Sequence, residues 1–142
     1  MESIELAKKI AKPFEGFFSK VYKCPAGFWT IAWGHRCNEK QPPVTIEDGE
    51  IFLNKDMVIA LNGVIKHCPI LLSYPKKLAA ITDFCFNLGV GRLQISTLKR
   101  CINKKDWNGA INQLNKWVYG GGRKLNGLVK RRMIESIIFK GE

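Results

Sequence analysis

Residues 15–35 read EGFFSKVYKCPAGFWTIAWGH. This stretch decides the fold because it has a strand-like pattern, whereas the other recognisable patterns in the chain are helical. Aromatic and β-branched residues stand on both sides of Cys24-Pro25-Ala26-Gly27, as in two strands joined by a turn. Upstream, the apolar residues of Ile4–Phe14 recur at helical spacing, and Pro13 and Gly16 favour a helix end there. The sequence therefore predicts a helix followed by one β-hairpin.

Downstream of the hairpin the recognisable patterns are helical. Thr45 is a typical N-cap, and the apolar segment after Pro75 predicts a buried central helix that ends at the glycines of Asn87–Gly91. The predicted helices run from Thr45 to about His67, from Pro75 to about Asn87, from Leu98 to Ile102 after Ser96-Thr97, from Asp106 to Val118, and from about Lys124 to Phe139. This order of elements predicts an α+β fold that is mostly helical.

The length of 142 residues, with 46% hydrophobic and 25% charged residues, is typical of one soluble domain. No apolar run approaches the roughly 18 to 20 residues that span a bilayer, so we expect no stable membrane insertion. The segment MESIELAKKIAKPFEG has no long apolar stretch, and we expect no ordinary secretory signal peptide. A net charge of +11 predicts attraction to polyanions such as nucleic acid, anionic lipid or bacterial wall polymers. No nucleic-acid-binding motif is recognisable, so we expect no nucleic-acid partner.

The five cysteines are an odd number and include no CxxC pair; they are Cys24, Cys37, Cys68, Cys85 and Cys101. The two histidines are far apart in sequence, so the usual spacing of a zinc site is missing and we expect no metal. We interpret the chain as one that folds reduced in a cytoplasm, with the last four cysteines acting as small hydrophobic residues. Spacing alone leaves a disulfide between Cys24 and Cys37 open.

Glu15 is the acid whose surroundings suggest chemistry, because Phe14 precedes it and Phe17 follows closely. Aromatic rings that exclude water favour a neutral carboxyl group, and a neutral carboxyl can donate a proton to a leaving sugar oxygen. An exposed glutamate at a helix end explains the same local composition and is the commoner case. Composition alone therefore favours the simpler interpretation of Glu15.

A longer pattern changes that balance. Glu15 is followed by Cys24, then Thr30, then Ile31-Ala32-Trp33-Gly34-His35. This spacing resembles the active-site segment of the phage-type lysozymes, glycoside hydrolase family 24, which include the endolysins. In that family a Glu follows the first helix, an Asp or Cys comes nine positions later, and a Thr comes six positions after that. Ala32 departs from the family pattern, which has a glycine there.

The resemblance continues in order through the rest of the chain. Phe84–Gly89 is similar to the end of the family's central helix, and Ser96-Thr97-Leu98 to its S-T-L segment. The C-terminal signature is matched by Trp117, Gly120–Gly122, Leu125–Leu128, Arg131-Arg132 and Glu135. The resemblance covers about residues 10 to 136 and implies a lysozyme-like fold. It implies a single catalytic domain, 1–142, with a cleft between a β-hairpin lobe, about 15–45, and a helical lobe, about 70–142.

The family resemblance also implies an activity. It implies hydrolysis, with inversion, of the β-1,4 bond between N-acetylmuramic acid and N-acetylglucosamine in bacterial peptidoglycan, without a cofactor. Glu15 would be the general acid, and Cys24 and Thr30 would direct the attacking water. Cys24 is a thiol where many relatives have a carboxylate. Lys23 and His35 are close enough in sequence to influence it.

Other residues receive roles from the same resemblance, in the case of Phe86, Thr97, Asn126 and His35, or from their local sequence. Phe86, Thr97 and Asn126 would bind substrate in the cleft. His35 would fix the hairpin against the first helix by hydrogen bonds. Asp83 is expected to cap a helix or form an ion pair, and Trp117 to pack in the core. The basic segment Lys124–Arg132 is expected to be a solvated face above an apolar stripe.

Two other functions stay open from the sequence. A lytic transglycosylase needs one acid and no second carboxylate, which suits a cysteine at position 24. A cationic protein without enzymatic activity would bind walls or membranes through its charge of +11. For the peptidoglycan hydrolase, the resemblance implies a holin as partner. The protein would then act as a monomer, released from the cytoplasm of a bacterial host to the cell wall through holin lesions.

Overall fold

The N-terminal helix and the hairpin form as predicted. The computed structural model describes residues 1–142, and its first helix, α1, covers Glu2–Glu15. Gly16 ends this helix with a φ of 68°, a value that favours glycine. Strands β1 (Phe18–Lys23) and β2 (Trp29–Ala32) pair antiparallel across the turn that begins at Cys24.

The remaining elements are mostly helices. They are β3 (His35–Arg36), α2 (Ile46–His67), a 3₁₀ helix (Pro69–Ser73), α3 (Pro75–Leu88), α4 (Val90–Gln94), α5 (Thr97–Asn103), α6 (Trp107–Leu114), β4 (Tyr119–Gly120), β5 (Arg123–Lys124) and α7 (Asn126–Phe139). The predicted α+β fold with a helical majority is confirmed. No helix has the length and apolar character needed to cross a membrane.

The β element has three strands, where the sequence predicted two. Ile31 pairs with His35, and Thr30 pairs with Arg36, so β3 adds to the far side of β2. The chain reverses through Gly34, whose φ is 70°. Such a short third strand offers too few residues to show a period-2 pattern in sequence.

The third strand also settles the open disulfide. Cys24 follows β1, and the backbone N–H of Cys37 donates to Trp29 in β2 from the opposite side. Two strand spacings, about 9.5 Å, therefore separate the two cysteine backbones, beyond the roughly 7 Å that a disulfide tolerates. All five cysteines are free thiols. Cys68 and Cys85 lie in the core, as expected of small hydrophobic residues.

Helix α3 is the buried centre of the molecule, as predicted. Its residues from Lys77 to Cys85 are all buried, and it contacts α1, α2 and α7. Helix α2 begins at the predicted cap: Asp48 N–H donates to Thr45 Oγ1, and Thr45 N–H donates to Asp48 Oδ2, which satisfies both ends of a capping box. The capping box thus anchors the start of α2.

The C-terminal boundaries differ from the prediction. Helix α6 ends at Leu114 and not at Val118, and α7 begins at Asn126. Between them β4 and β5 form a small hairpin, because Gly121 and Gly122 both have positive φ, the requirement of a tight two-residue turn. The sequence predicted no strand in this segment. The 3₁₀ helix and α4 were also not predicted.

Candidate active site

Glu15, Cys24 and Thr30 line one open cavity of about 340 Å³ between the β-hairpin and the end of α3. They come from three different elements: the end of α1, the turn after β1, and β2. The other lining residues are Phe14, Tyr22, Pro25, Ala26, Gly34, Arg36, Phe86 and Asn87. The three residues predicted to be catalytic are therefore brought together, and Phe86 of α3 lines the same cavity.

The Glu15 carboxylate is held from two sides. Arg131 Nη1 donates to Glu15 Oε2 at 2.5 Å. The second oxygen, Oε1, lies against Gly34, where an added Cβ would be only 2.6 Å away. Glycine at position 34 therefore provides both the positive φ of the β2–β3 turn and the space for Oε1. About a fifth of the Glu15 side chain is exposed.

The rings beside Glu15 do not enclose it as the sequence suggested. Phe17 turns to pack edge-on against Trp33, with 4.8 Å between ring centroids. Phe14 faces the guanidinium of Arg131, whose central carbon is 5.4 Å from the ring centroid. Glu15 is thus flanked by a buried cation as well as by aromatic surface.

Arg131 is the residue at the site whose role sequence reasoning missed. It was assigned to a solvated basic face, but Arg131 and Arg132 are both buried. Arg131 donates through Nε and Nη2 to the two carboxylate oxygens of Asp83, at 2.9 and 2.7 Å. Burial opposes its charge, but Asp83 and then Glu15 raise the pKa of the guanidinium. The interpretation of Asp83 as ion-paired is confirmed.

A second buried pair lies behind this one. Arg132 contacts Glu135 at 2.7 Å and donates to Asn87 Oδ1 at 2.7 Å. Burial, and next the neighbouring Asp83, raise the pKa of Glu135. Because Asn87 lines all three described cavities, this network connects the core of the helical lobe to the cleft. Asn87 directly follows Phe86 in the motif of the central helix but was not selected as a site residue.

Cys24 is half-buried in the hairpin turn. Burial alone would raise the pKa of its thiol. Hydrogen bonds to the sulfur from the backbone of Phe28, Ala26 and Gly27, and from the Thr30 hydroxyl, outweigh burial and lower the pKa below the usual value. The turn therefore stabilises the thiolate relative to that of a thiol in ordinary surroundings.

Thr30 is buried beside this sulfur. Its hydroxyl has two acceptors within reach, the carbonyl oxygen of Phe28 at 2.9 Å and the Cys24 sulfur, and its one proton goes to either of them but not to both at once. The hydroxyl has one proton to donate and two lone pairs, so it can accept a hydrogen bond from a third group in the cavity.

Of the three predicted substrate-binding residues, one lines the cavity of Glu15 and two do not. Phe86 lines the cavity of Glu15 and an adjacent cavity of about 380 Å³. Thr97 is exposed at the start of α5, accepts a hydrogen bond from Arg100, and lines none of the three described cavities. Asn126 is the exposed first residue of α7 and lines none of them, although Leu125 and Gly127 line a cavity of about 360 Å³ beside Glu15. Binding roles for Thr97 and Asn126 stay predictions.

His35 fixes the β element to α2 and not to α1, so that prediction is wrong in its partner. His35 Nδ1 lies 2.8 Å from Asp56 Oδ2, and its ring stacks on Phe52 with 4.4 Å between centroids. Both partners belong to α2, which runs alongside β3. Trp117 packs edge-on against Phe84 at the core, as predicted.

Comparison with known proteins agrees with this geometry. The family model described as Phage lysozyme matches residues 12–135. The chain is 35% identical to an endolysin of Acyrthosiphon pisum secondary endosymbiont phage 1, with 92% of each chain covered. It is 33% identical to a SAR-endolysin of Bacteriophage PS119, over 85% of this chain and 73% of that protein.

Solved structures give the same result. The fold is similar to the active form of the P1 phage endolysin Lyz, with a TM-score of 0.86, 22% identity, and 98% of this chain and 85% of that chain covered. It is also similar to the muramidase domain of SpmX from Asticaccaulis excentricus, with a TM-score of 0.81, 25% identity, and coverage of 99% and 95%. The predicted lysozyme-like fold is confirmed.

Proposed function

The chain belongs to the phage lysozyme family, and from this premise we propose that it cleaves the β-1,4 bond between N-acetylmuramic acid and N-acetylglucosamine with Glu15 as general acid. It is a glycosidase of the lysozyme type, an endolysin that hydrolyses peptidoglycan. The observation that carries the catalytic assignment is the shared cavity of Glu15, Cys24 and Thr30. A cationic protein without enzymatic activity would not need these three side chains in one cavity.

Glu15 donates its proton to the glycosidic oxygen. Because Oε2 accepts from Arg131, the proton to be donated belongs on Oε1, which lies over Gly34 at the cavity wall. As the bond between C1 and this oxygen breaks, the departing N-acetylglucosamine keeps the proton as its 4-hydroxyl group. Arg131 then stabilises the carboxylate that remains, and Asp83 keeps Arg131 in place.

Cys24 and Thr30 act on the other face of the sugar. The thiolate accepts a proton from a water molecule as its oxygen attacks C1, and the Thr30 hydroxyl holds that water. The product has inverted configuration, which in this enzyme class needs room for a water between acid and base. Solvent afterwards carries the proton from the thiol back to Glu15.

Analysis of products tests the reaction. Wild-type protein and Glu15→Gln are incubated with purified peptidoglycan in ¹⁸O-labelled water, and the released muropeptides are analysed by mass spectrometry. We expect labelled reducing ends on N-acetylmuramic acid from the wild type and none from the variant. Unlabelled 1,6-anhydro ends would replace the hydrolase with a lytic transglycosylase. Equal cleavage by Glu15→Gln would remove Glu15 from the mechanism.

Release to the wall is a separate proposal. We infer that the folded enzyme leaves the cytoplasm of its bacterial host through membrane lesions made by a holin. Some relatives are named endolysins and others SAR-endolysins, and the second name suggests export without a holin for those proteins. The family name alone therefore does not decide the route of this chain.

A further inference from the structure

Arg36 lies in the cleft at a position that the mechanism does not use. It is the second residue of β3 and pairs directly with Thr30 in β2, so the two side chains stand next to each other on one face of the sheet. Its guanidinium stacks on the Phe28 ring, with 3.9 Å from the central carbon to the ring centroid. This stacking holds the cation in place while its edge, where the N–H donors lie, stays open.

Arg36 also connects two parts of the cleft. It lines the cavity of Glu15 and Cys24 and the adjacent cavity of about 380 Å³. Gly34, Phe86 and Asn87 line the same two cavities. A glycan that runs along the cleft would therefore pass Arg36 directly beside the reacting centre.

The buried cation of the cleft is already neutralised by acids of the protein. Arg131 binds both Glu15 and Asp83. Arg36 forms an ion pair with no acid of the chain. Its charge is thus available to a group that enters the cleft, and a planar fork of N–H donors matches a carboxylate best.

We propose that Arg36, supported by Phe28, is an anion subsite that binds a carboxylate carried by the muramic acid residue of the substrate. This inference rests on the proposed function. N-acetylmuramic acid differs from N-acetylglucosamine by a lactyl ether whose carboxyl group is either free or joined to a stem peptide with further carboxylates. The subsite makes the enzyme select acid-bearing glycan over uncharged chitin-type glycan.

Steady-state kinetics on two soluble oligomers test the subsite. One oligomer keeps its stem peptides, and the other has lost them to an amidase and carries free lactyl carboxylates. Because a charge-assisted pair is lost, we expect Arg36→Ala to raise KM about 10- to 100-fold, with kcat changed less than about 3-fold. Arg36→Lys should recover part of the loss, and Phe28→Leu should show a smaller loss. Arg123→Ala removes an exposed arginine that lines no described cavity and is the matched control.

The two substrates identify the source of the carboxylate. A loss confined to the peptide-bearing oligomer assigns the subsite to a stem-peptide carboxylate, and a loss confined to the amidase-treated oligomer assigns it to the free lactyl carboxylate. A loss on both shows that the subsite accepts either carboxylate. KM values for Arg36→Ala within about 2-fold of those for Arg123→Ala on both oligomers would overturn the proposal. A fall in kcat with a shifted pH profile would also overturn it, because Arg36 would then act on Cys24.

Binding to a variant without turnover separates this proposal from the proposed function. Calorimetry with Glu15→Gln, with and without Arg36→Ala, measures affinity for the same oligomers when no bond is cleaved. A weaker affinity in the double variant supports the subsite even if the wild type released no product. Equal affinities would contradict the subsite while leaving Glu15 as the acid.

Discussion

Cys24 distinguishes this site from one built of two carboxylates. A thiol in ordinary surroundings is mostly protonated at neutral pH and is a poor base. Here three backbone groups of the turn and the Thr30 hydroxyl stabilise the thiolate and lower the pKa of Cys24. The hairpin turn would therefore support the proposed base through its backbone as much as through the side chain that it presents.

Replacing Cys24 tests this role through the pH dependence of kcat/KM. Because the base must be deprotonated, the wild-type rate should rise with pH through the lowered pKa of Cys24. Cys24→Asp should retain activity within about 10-fold and move this rise to lower pH, since a carboxyl group titrates near 4. Cys24→Ala should lose about 10²- to 10⁴-fold, the usual contribution of a general base.

Alkylation provides the control for that experiment. Iodoacetamide should inactivate the wild type at a rate that rises with pH, and Cys24→Asp should resist it although it keeps four other cysteines. A Cys24→Ala enzyme with nearly normal rate, or inactivation of Cys24→Asp at the wild-type rate, would remove Cys24 from the mechanism.

Gly34 gives a second prediction at the scale of one residue. Gly34→Ala places a Cβ 2.6 Å from Glu15 Oε1 and strains a backbone with a φ of 70°. We expect kcat to fall at least about 10-fold, because a displaced Glu15 carboxyl group transfers its proton to the substrate less efficiently.

Gly122→Ala is the matched control, since Gly122 has a similar φ of 78° and open space around the new Cβ. Both variants should lose about 1–2 kcal/mol of unfolding free energy, which thermal unfolding measures. Only Gly34→Ala should lose activity, and a normal kcat for it would contradict the tight contact with Glu15.

Single residues show where sequence reasoning stopped. The spacing of Glu15, Cys24 and Thr30, through its family resemblance, predicted the shared cavity in which the structure places them. Arg131 was missed because its partners, Asp83 and Glu15, are 48 and 116 residues away in sequence. Helical periodicity predicts which face of a helix is buried. It does not predict that an acid on a distant helix will pair with a basic residue on that face. Ala32 was noted as a departure from glycine, and its φ of 55° shows the strain that it accepts.

At the scale of elements, the end of α5 carries a strained residue that is far from the cleft. Lys105 N–H donates to Ile102 and Asp106 N–H to Cys101, each at 2.9 Å, which is the bonding pattern of a Schellman cap. Lys105 has the required positive φ, 57°, but is not glycine. An exposed lysine therefore occupies a left-handed position at the cost of backbone strain.

Glycine at this cap should stabilise the fold. Lys105→Gly should raise the unfolding free energy by about 0.5–1 kcal/mol, because it removes the clash of Cβ with the backbone. Lys104→Gly is the matched control, since Lys104 has a φ of −92° and gains nothing from glycine. Urea unfolding measures both. A control that stabilises as much as Lys105→Gly would show that the effect comes from lost charge and not from backbone strain.

The elements that sequence reasoning missed are short. Helices α1, α2 and α3 have strong local signals in a cap, a proline or a long apolar period, and they were predicted within a few residues. Strand β3 and the β4–β5 hairpin have two residues per strand, and pairing across the chain, not composition, defines them. The tertiary structure thus decides the elements that are too short to form alone.

In the whole molecule, which has a net charge of +11, some basic residues are buried in ion pairs and most are exposed. Arg131 and Arg132 are buried in ion pairs, Arg131 with Glu15 and Asp83 and Arg132 with Glu135, so neither contributes to a cationic surface. Most other lysines and arginines are exposed and would attract the anionic wall, an effect that salt weakens. Attraction to the wall would therefore depend on the exposed basic residues and not on Arg131 or Arg132.

The same surface charge bears on release from the cell. A folded domain with many exposed charges does not cross a lipid bilayer unaided, because each charge would have to leave water. We therefore expect bacteria that express this chain without a holin to stay intact until chloroform opens their membranes, and then to lyse. Turbidity measures this, and cells with Glu15→Gln should stay turbid after chloroform. Lysis of untreated cells by the wild type, but not by Glu15→Gln, would show that the enzyme reaches the wall without a holin.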